Sequence, residues 1–269
     1  MTLFPFADCP VPSLRPAILP TVARAYVPVD LSDPRASEKL VDVNELGVRS
    51  ESYYARTDGG NAPYNGPVVG SIPKILLRES VAKRVAQANK TLAKAGLALF
   101  ALDGYRSLET QVGLWNFFWE RIAKENPAFS KAEIEQRTLT FVSDPRDFKR
   151  DDPHSWPLHS TGGAVDLTLC RSSGALLDLG TDFDATSDMA ATAWFEGALA
   201  RGEIAADDQR LLLRRTLYWT MRNVGFTNYI NEWWHFDWGD QLYVLTLDLM
   251  GEPLQSGAAW YGYTEPEAA

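Results

Sequence analysis

His159-Ser160-Thr161-Gly162-Gly163-Ala164-Val165-Asp166 is the stretch around which the rest of the chain is read. A second stretch, Glu232-Trp233-Trp234-His235, completes it from a distance. Together they offer two imidazoles and a carboxylate able to hold a metal, with a second carboxylate alongside. Zinc in hydrolases is typically held by three such ligands, with a fourth position open to water. A water placed there needs a base, and Glu232 is the candidate. His159 and Asp166 are too far apart in sequence for the one-face helical spacing of an HExxH site. Gly162, Gly163 and Ala164 instead let the chain turn and bring a loop His and a strand Asp to one point. Val165 to Leu169 alternates apolar and polar residues, the period of a strand that carries Asp166 inward. The short Glu232–His235 interval, in a strand or tight turn, sets a ligand on the metal and a carboxylate over its open face.

The chain contains 3 His, and the third, His154, has no such context. It is read as a surface or supporting residue. Taken singly, His159 or His235 is an ordinary hydrogen-bonded histidine, and Asp166 an ordinary cap or ion-pair partner. The flanking residues make the metal reading.

At 269 residues with 45% hydrophobic and 12% aromatic side chains, the chain can bury a large core and is not disordered as a whole. A net charge of −9 argues against a nucleic-acid partner, whose phosphates need a basic face. Without a polybasic cluster, an anionic membrane surface is not expected either. The 2 cysteines, Cys9 and Cys170, make no disulfide framework and no CxxC. They are read as free thiols in a reducing compartment, with a Cys9–Cys170 bridge as the alternative. The first residues lack a secretory pattern, no apolar run reaches the ~18 residues that suggest a membrane span, and the expected location is the cytoplasm.

Residues 1–50 read as a Pro-rich arm that wraps the domain, with Ile18, Val22, Tyr26 and Val27 as anchors. Residues 51–250 read as one domain and 251–269 as a tail. Apolar spacing predicts helices over 78–95, 108–125 and 131–139, a helical segment from Ser187 to about Ala200, and a long helix capped by Asp207 and closed before Gly225. Strands are expected at 97–102, 165–169, 226–229 and 234–238. Asp103-Gly104-Tyr105-Arg106 would then present Arg106 at a strand end.

These pieces, in this order, resemble the D-alanyl-D-alanine dipeptidases, a family of zinc peptidases. The resemblance rests on Asp103-Gly104-Tyr105-Arg106, on His159-x-x-Gly162-x-Ala164-x-Asp166-Leu167-Thr168-Leu169, on Gly180-Thr181-x-Phe183-Asp184, and on Gly225-Phe226-x-x-Tyr229-x-x-Glu232-Trp233-Trp234-His235. It implies an α+β fold, with a central antiparallel sheet, helices on one face and zinc in the sheet groove. It implies one Zn2+ per chain on His159, Asp166 and His235. Glu232 would be the general base acting on a metal-bound water, and Arg106 would stabilise the oxyanion. Asp184 would pair with the ammonium of a small dipeptide, and Tyr105 would help wall the pocket. The structural competitors are an ion-pair role for Arg106 and a helix cap for Asp184. The family usually has Ser two positions before its first metal His, where this chain has Pro157. A carboxypeptidase acting on longer cell-wall peptides, and a non-catalytic zinc-fold binding module, are the alternative functions. The oligomeric state is not legible.

Overall fold

The computed structural model describes residues 4–15, 23–139 and 141–266. Its centre is a five-stranded sheet built from β2 (Arg49–Ser50), β4 (Leu97–Asp103), β5 (Ala164–Arg171), β6 (Thr227–Asn228) and β7 (His235–Asp237), in the order β2-β4-β5-β7-β6. β4, β5, β7 and β6 pair antiparallel, as the fold class required, and β2 adds a parallel edge. A second, two-stranded sheet joins β1 (Leu40–Asp42) to β3 (Leu76–Arg78).

The pleat sorts the central strands onto two faces. Leu97, Leu99 and Ala101 of β4, Val165, Leu167 and Leu169 of β5, and Phe236 of β7 are fully buried in one core cluster. The helices α1 (Glu79–Leu92) and α5 (Gln209–Arg222) close that cluster with Val81, Val85 and Leu92, and with Leu213, Leu217 and Met221. The expected layer of helices on one face is therefore present. Because Asp166 pairs with His235 in register, both point away from this core, to the opposite face of the sheet.

Gly96, in the left-handed region at φ 69°, ends the turn after α1 and starts β4. α2 (Leu108–Glu125) and α3 (Lys131–Thr138) follow, capped by Ser107 and Ser130. The helical stretch expected from Ser187 to about Ala200 is broken into a 3-10 turn, Asp188–Ala190, and α4 (Trp194–Ala200). One expected cap needs correction, and further elements lie beyond the sequence expectations. α5 is capped by Asp208, whose carboxylate accepts from Arg210 N, and not by Asp207. A further helix, α6 (Gln241–Leu249), follows Asp240, because its side chains are buried almost all round and show little amphipathic period. Residues 40–50, read as arm, contribute β1 and β2, strands too short for alternation to reveal.

Of the proposed arm anchors, Ile18 and Val22 lie outside the described residues. Tyr26 is exposed and Val27 packs against the core, while the buried residue of that segment is Arg24. Cys9 and Cys170 are both free, one exposed and one buried. Among the described residues no helix is long and apolar enough to cross a membrane.

Candidate active site

The 3-10 turn Leu158–Thr161 carries His159 to the sheet, and Gly162 then reverses the chain into β5. Gly162 adopts φ +73°, and a Cβ there would stand 2.5 Å from Leu40 Cδ2. At Gly163 a Cβ would come within 2.9 Å of the Trp238 carbonyl oxygen. The two glycines are thus required by backbone shape and by close approach. The turn is fixed from below by buried Arg78, which donates to Thr161 O at 2.8 Å. It is tied to the Arg106 loop by Ser160 Oγ, which donates to Arg106 O at 2.9 Å.

His159, Asp166 and His235 are buried, and one ligand atom from each lies within 4.8 Å of the others. His159 Nδ1 is 2.8 Å from Gly104 O, an acceptor that can only receive a proton, so Nε2 is left as a lone pair. His235 Nε2 is held in the same way by Asp237 Oδ1 at 2.8 Å, which frees Nδ1. The free nitrogens stand 3.2 Å apart. Nδ1 of His235 is 3.0 Å from Asp166 Oδ1, and Nε2 of His159 is 3.5 Å from Asp166 Oδ2. Asp166 Oδ1 is buried and receives no hydrogen bond among the described residues. With His235 neutral, three acceptors converge with no donor between them, which is unfavourable unless a cation sits there. Tetrahedral ligands at ~2.0–2.1 Å from a zinc ion stand about 3.3–3.4 Å apart, close to these separations. The N, N, O donor set fits such an ion.

The electrostatics agree. Burial pushes His159 down to about 3, so it is neutral, as a ligand must be. Burial also acts on His235, but Asp237 and Asp166 outweigh it and raise that imidazole well above its ordinary value. A proton there relieves the same crowding that a metal ion would. For Asp166 burial acts upward, and the two imidazoles pull it below its usual range.

Glu232 is half-buried over this group, with Oε2 4.0 Å from His235 Nδ1. Burial pushes its carboxyl up to about 8, with Asp166 and Asp184 adding to the rise. Such a group can both take and return a proton near neutrality.

Arg106 reaches the opposite edge. Its Nη2 donates to Asp103 Oδ2 at 2.7 Å, Nη1 donates to Gln111 Oε1 at 3.1 Å, and a longer contact of 3.3 Å runs from Nη2 to the Tyr54 hydroxyl. The ion-pair role and the site position thus coexist in one residue. Asp103 faces the site because the β4–β5 pairing slips by one residue between Ala101 and Asp103, which turns Asp103 onto the Asp166 side.

Asp184 does not cap a helix. The next helical turn begins at Asp188, with Ser187 in the cap position. Its Oδ2 accepts from the hydroxyls of Tyr54 at 2.7 Å and Tyr64 at 3.0 Å, and its backbone is left-handed at φ 58°. Burial pushes its carboxyl up to about 6. Asp184, Glu232, Tyr229 and Trp234 line one cavity of about 420 Å3, a small-ligand size. Its loop is clamped by buried Arg214, which donates to the carbonyls of Leu179, Ala191 and Met189.

Tyr105 is not in that cavity. It is buried beside Arg106 in a smaller cleft, with Glu265 and Arg150 the charges nearest to act on it. His154 stands apart from the metal group, its ring against Tyr26. Sequence reading missed Tyr54, Tyr64, Asp237 and Arg214. No spacing marks them, although the Tyr53-Tyr54 pair and Tyr64 flank a turn-rich stretch.

The family model for peptidase M15, described as D-ala-D-ala dipeptidase, matches residues 36–248. A D-alanyl-D-alanine dipeptidase of Synechocystis sp. is 28% identical over 255 residues, covering 91% of this chain and 98% of that protein. One from Enterococcus faecium is 28% identical over 199 residues, covering 73% of this chain and 89% of the relative. Among solved structures, VanYB in complex with D-alanine-D-alanine aligns at 14% identity and TM-score 0.39, over 72% of this chain and 89% of that one. The vancomycin resistance D,D-dipeptidase VanXYg, bound to a phosphinate analog of D-Ala-D-Ala, aligns at 18% identity and TM-score 0.35, over 81% of this chain and 73% of that one.

Proposed function

The chain belongs to the D-Ala-D-Ala dipeptidase family of metallopeptidases, and from that premise we propose that it hydrolyses free D-Ala-D-Ala, or a closely related small dipeptide, with one Zn2+ per chain. His159, Asp166 and His235 would hold the ion. When bound, zinc supplies Lewis acidity to the scissile carbonyl and acidifies water. Glu232 takes a proton from the attacking water and returns it to the leaving nitrogen as the C–N bond breaks, so water is consumed and two amino acids leave. Arg106, held by Asp103 and Gln111, keeps its charge aimed at the oxygen that becomes negative. Asp184 pairs with the substrate ammonium while Tyr54 and Tyr64 orient its carboxylate.

The observation that carries this reading is the convergence of three buried acceptors with Glu232 at their edge, and of Glu232 and Asp184 on one small cavity. A buried carboxylate on the same small cavity as Glu232 favours a free amino end over a blocked one. A reducing, cytoplasmic setting fits the two unpaired cysteines.

The test is release of free alanine by zinc-loaded protein from D-Ala-D-Ala, L-Ala-L-Ala and N-acetyl-D-Ala-D-Ala. Cleavage of the free D,D dipeptide alone is expected. Cleavage of the acetylated peptide in its place would make the protein a carboxypeptidase. Zinc binding with no cleavage of any peptide would leave a zinc-fold binding module.

A further inference from the structure

Asp184 lies inside a loop whose two ends are gripped by one side chain. Arg214 of α5, only 2% exposed, reaches that loop from the core. Its Nε donates to Leu179 O at 2.8 Å, before Asp184, and its Nη2 and Nη1 donate to Met189 O and Ala191 O at 3.0 Å, after it. A guanidinium is planar and its donors point in fixed directions, so three carbonyls bound at once hold both ends of the loop in one geometry. Burying a charge in this way costs desolvation that an apolar side chain would avoid. What the charge gains is direction.

The same guanidinium ties the loop to the base. It lies over two rings, 5.1 Å from the centroid of Phe195 and 5.1 Å from that of Trp233. Trp233 follows Glu232 directly in the chain. Its Nε1 donates to Thr181 Oγ1 at 2.8 Å, and its backbone N donates to Ala190 O at 3.0 Å. Thr192 N donates in turn to Ile230 O at 3.0 Å. Gly180 packs the loop onto Phe195: a Cβ there would stand 2.4 Å from Phe195 Cζ. The Asp184 loop and the Glu232 turn are thus one assembly with Arg214 inside it. Asp184, Ala185, Asp188 and Glu232 line the cavity and Arg214 does not, so Arg214 acts without touching what binds there.

We propose that Arg214 is a positioning residue for substrate recognition: it sets where the Asp184 carboxylate stands relative to Glu232. This rests on the reading given above, in which Asp184 receives the ammonium of the dipeptide. Residues that act through a shared contact are not additive, and that non-additivity separates positioning from general loosening of the fold.

The test is a double-mutant cycle on the zinc-loaded full chain, read as KM for D-Ala-D-Ala at a pH where Asp184 is charged. Arg214→Lys keeps the charge and loses the fork. It is expected to raise KM about 10-fold, with kcat little changed and zinc affinity, from chelator competition, at its wild-type value. In the Asp184→Asn background the same substitution should move KM by less than about 2-fold. An unchanged KM in Arg214→Lys would overturn the proposal. So would an equal rise in both backgrounds. If Arg214→Lys does not fold, Phe195→Leu takes its place in the cycle, because it removes a ring against the guanidinium and none of its hydrogen bonds. Additive effects there would also overturn the proposal. A wild-type KM in Asp184→Asn alone, or a zinc-loaded wild type that cleaves no dipeptide, would sink the reading of Asp184 or of the reaction, and the proposal with it.

Discussion

Glu232 and Asp184 are two carboxyls on one cavity, and burial raises both for different tasks. On the proposed mechanism Glu232→Gln removes the proton carrier but no metal ligand. Turnover is expected to fall by about 10^2–10^4-fold, with zinc content unchanged in the purified protein. A variant that turns over like wild type would exclude Glu232 as the base. For Asp184 the sign is fixed by its raised value. The carboxyl is neutral below about 6, so the ion pair with the substrate ammonium is present above that pH and lost as pH falls through it. KM for the dipeptide should therefore climb on acidification below about pH 6. Asp184→Asn should raise KM above about pH 6 and flatten that climb, read from KM against pH in matched buffers. The residues that bear chemistry were legible because their types and order form motifs. Tyr54, Tyr64 and Asp237 were not, because their roles arise from where a hydroxyl or carboxylate lands in space.

At the scale of elements, the long periodic helices and the strongly apolar β4 could be read from spacing, and α2 runs over the same residues as expected. Caps decide element ends more finely than spacing does. The adjacent pair Asp207-Asp208 offered two candidates, and only Asp208 accepts from the first-turn backbone. Asp208→Ala should cost about 1 kcal/mol of stability in urea unfolding, while Asp207→Ala should leave the midpoint unchanged. Equal effects would mean that the cap is not the source. The register slip before Asp103 left no sign in the sequence, since its only consequence is which face a side chain meets. β6 and β7 fall within the strands expected at 226–229 and 234–238, but only the pairing of β7 with β5 sets His235 against Asp166.

At the scale of the whole molecule, the site is sewn together by segments distant in sequence. Arg78 joins the His159 turn to Ala36 O at 3.1 Å and to Gly262 O at 3.2 Å. Ala259 N donates to Pro28 O at 2.9 Å, and Thr264 N donates to Ser160 O at 3.0 Å. The N-terminal and C-terminal segments thus lie against each other and against the His159 turn. Zinc that binds only the folded chain should stabilise all of this at once. At about 100 times its Kd the gain is about 2.7 kcal/mol. Chelation should lower Tm and zinc restore it. Glu232→Gln should keep that zinc-dependent shift and His235→Ala should lose it. A shift that survives in His235→Ala would place the ion elsewhere.

By itself the sequence determined the chemistry on offer: two histidines and an aspartate in a glycine-set frame, a base beside them, an arginine at a strand end, and helices long enough to cover a sheet. Those are properties of residue type and short-range spacing, which the chain carries before it folds. Only the tertiary structure decided which lone pairs meet, which tyrosines hold Asp184, that Tyr105 turns to another cleft, and that Arg24 is buried. These depend on register, on a one-residue slip and on contacts between distant segments. Their energies are set by burial and by neighbours, and neither exists until the chain has closed.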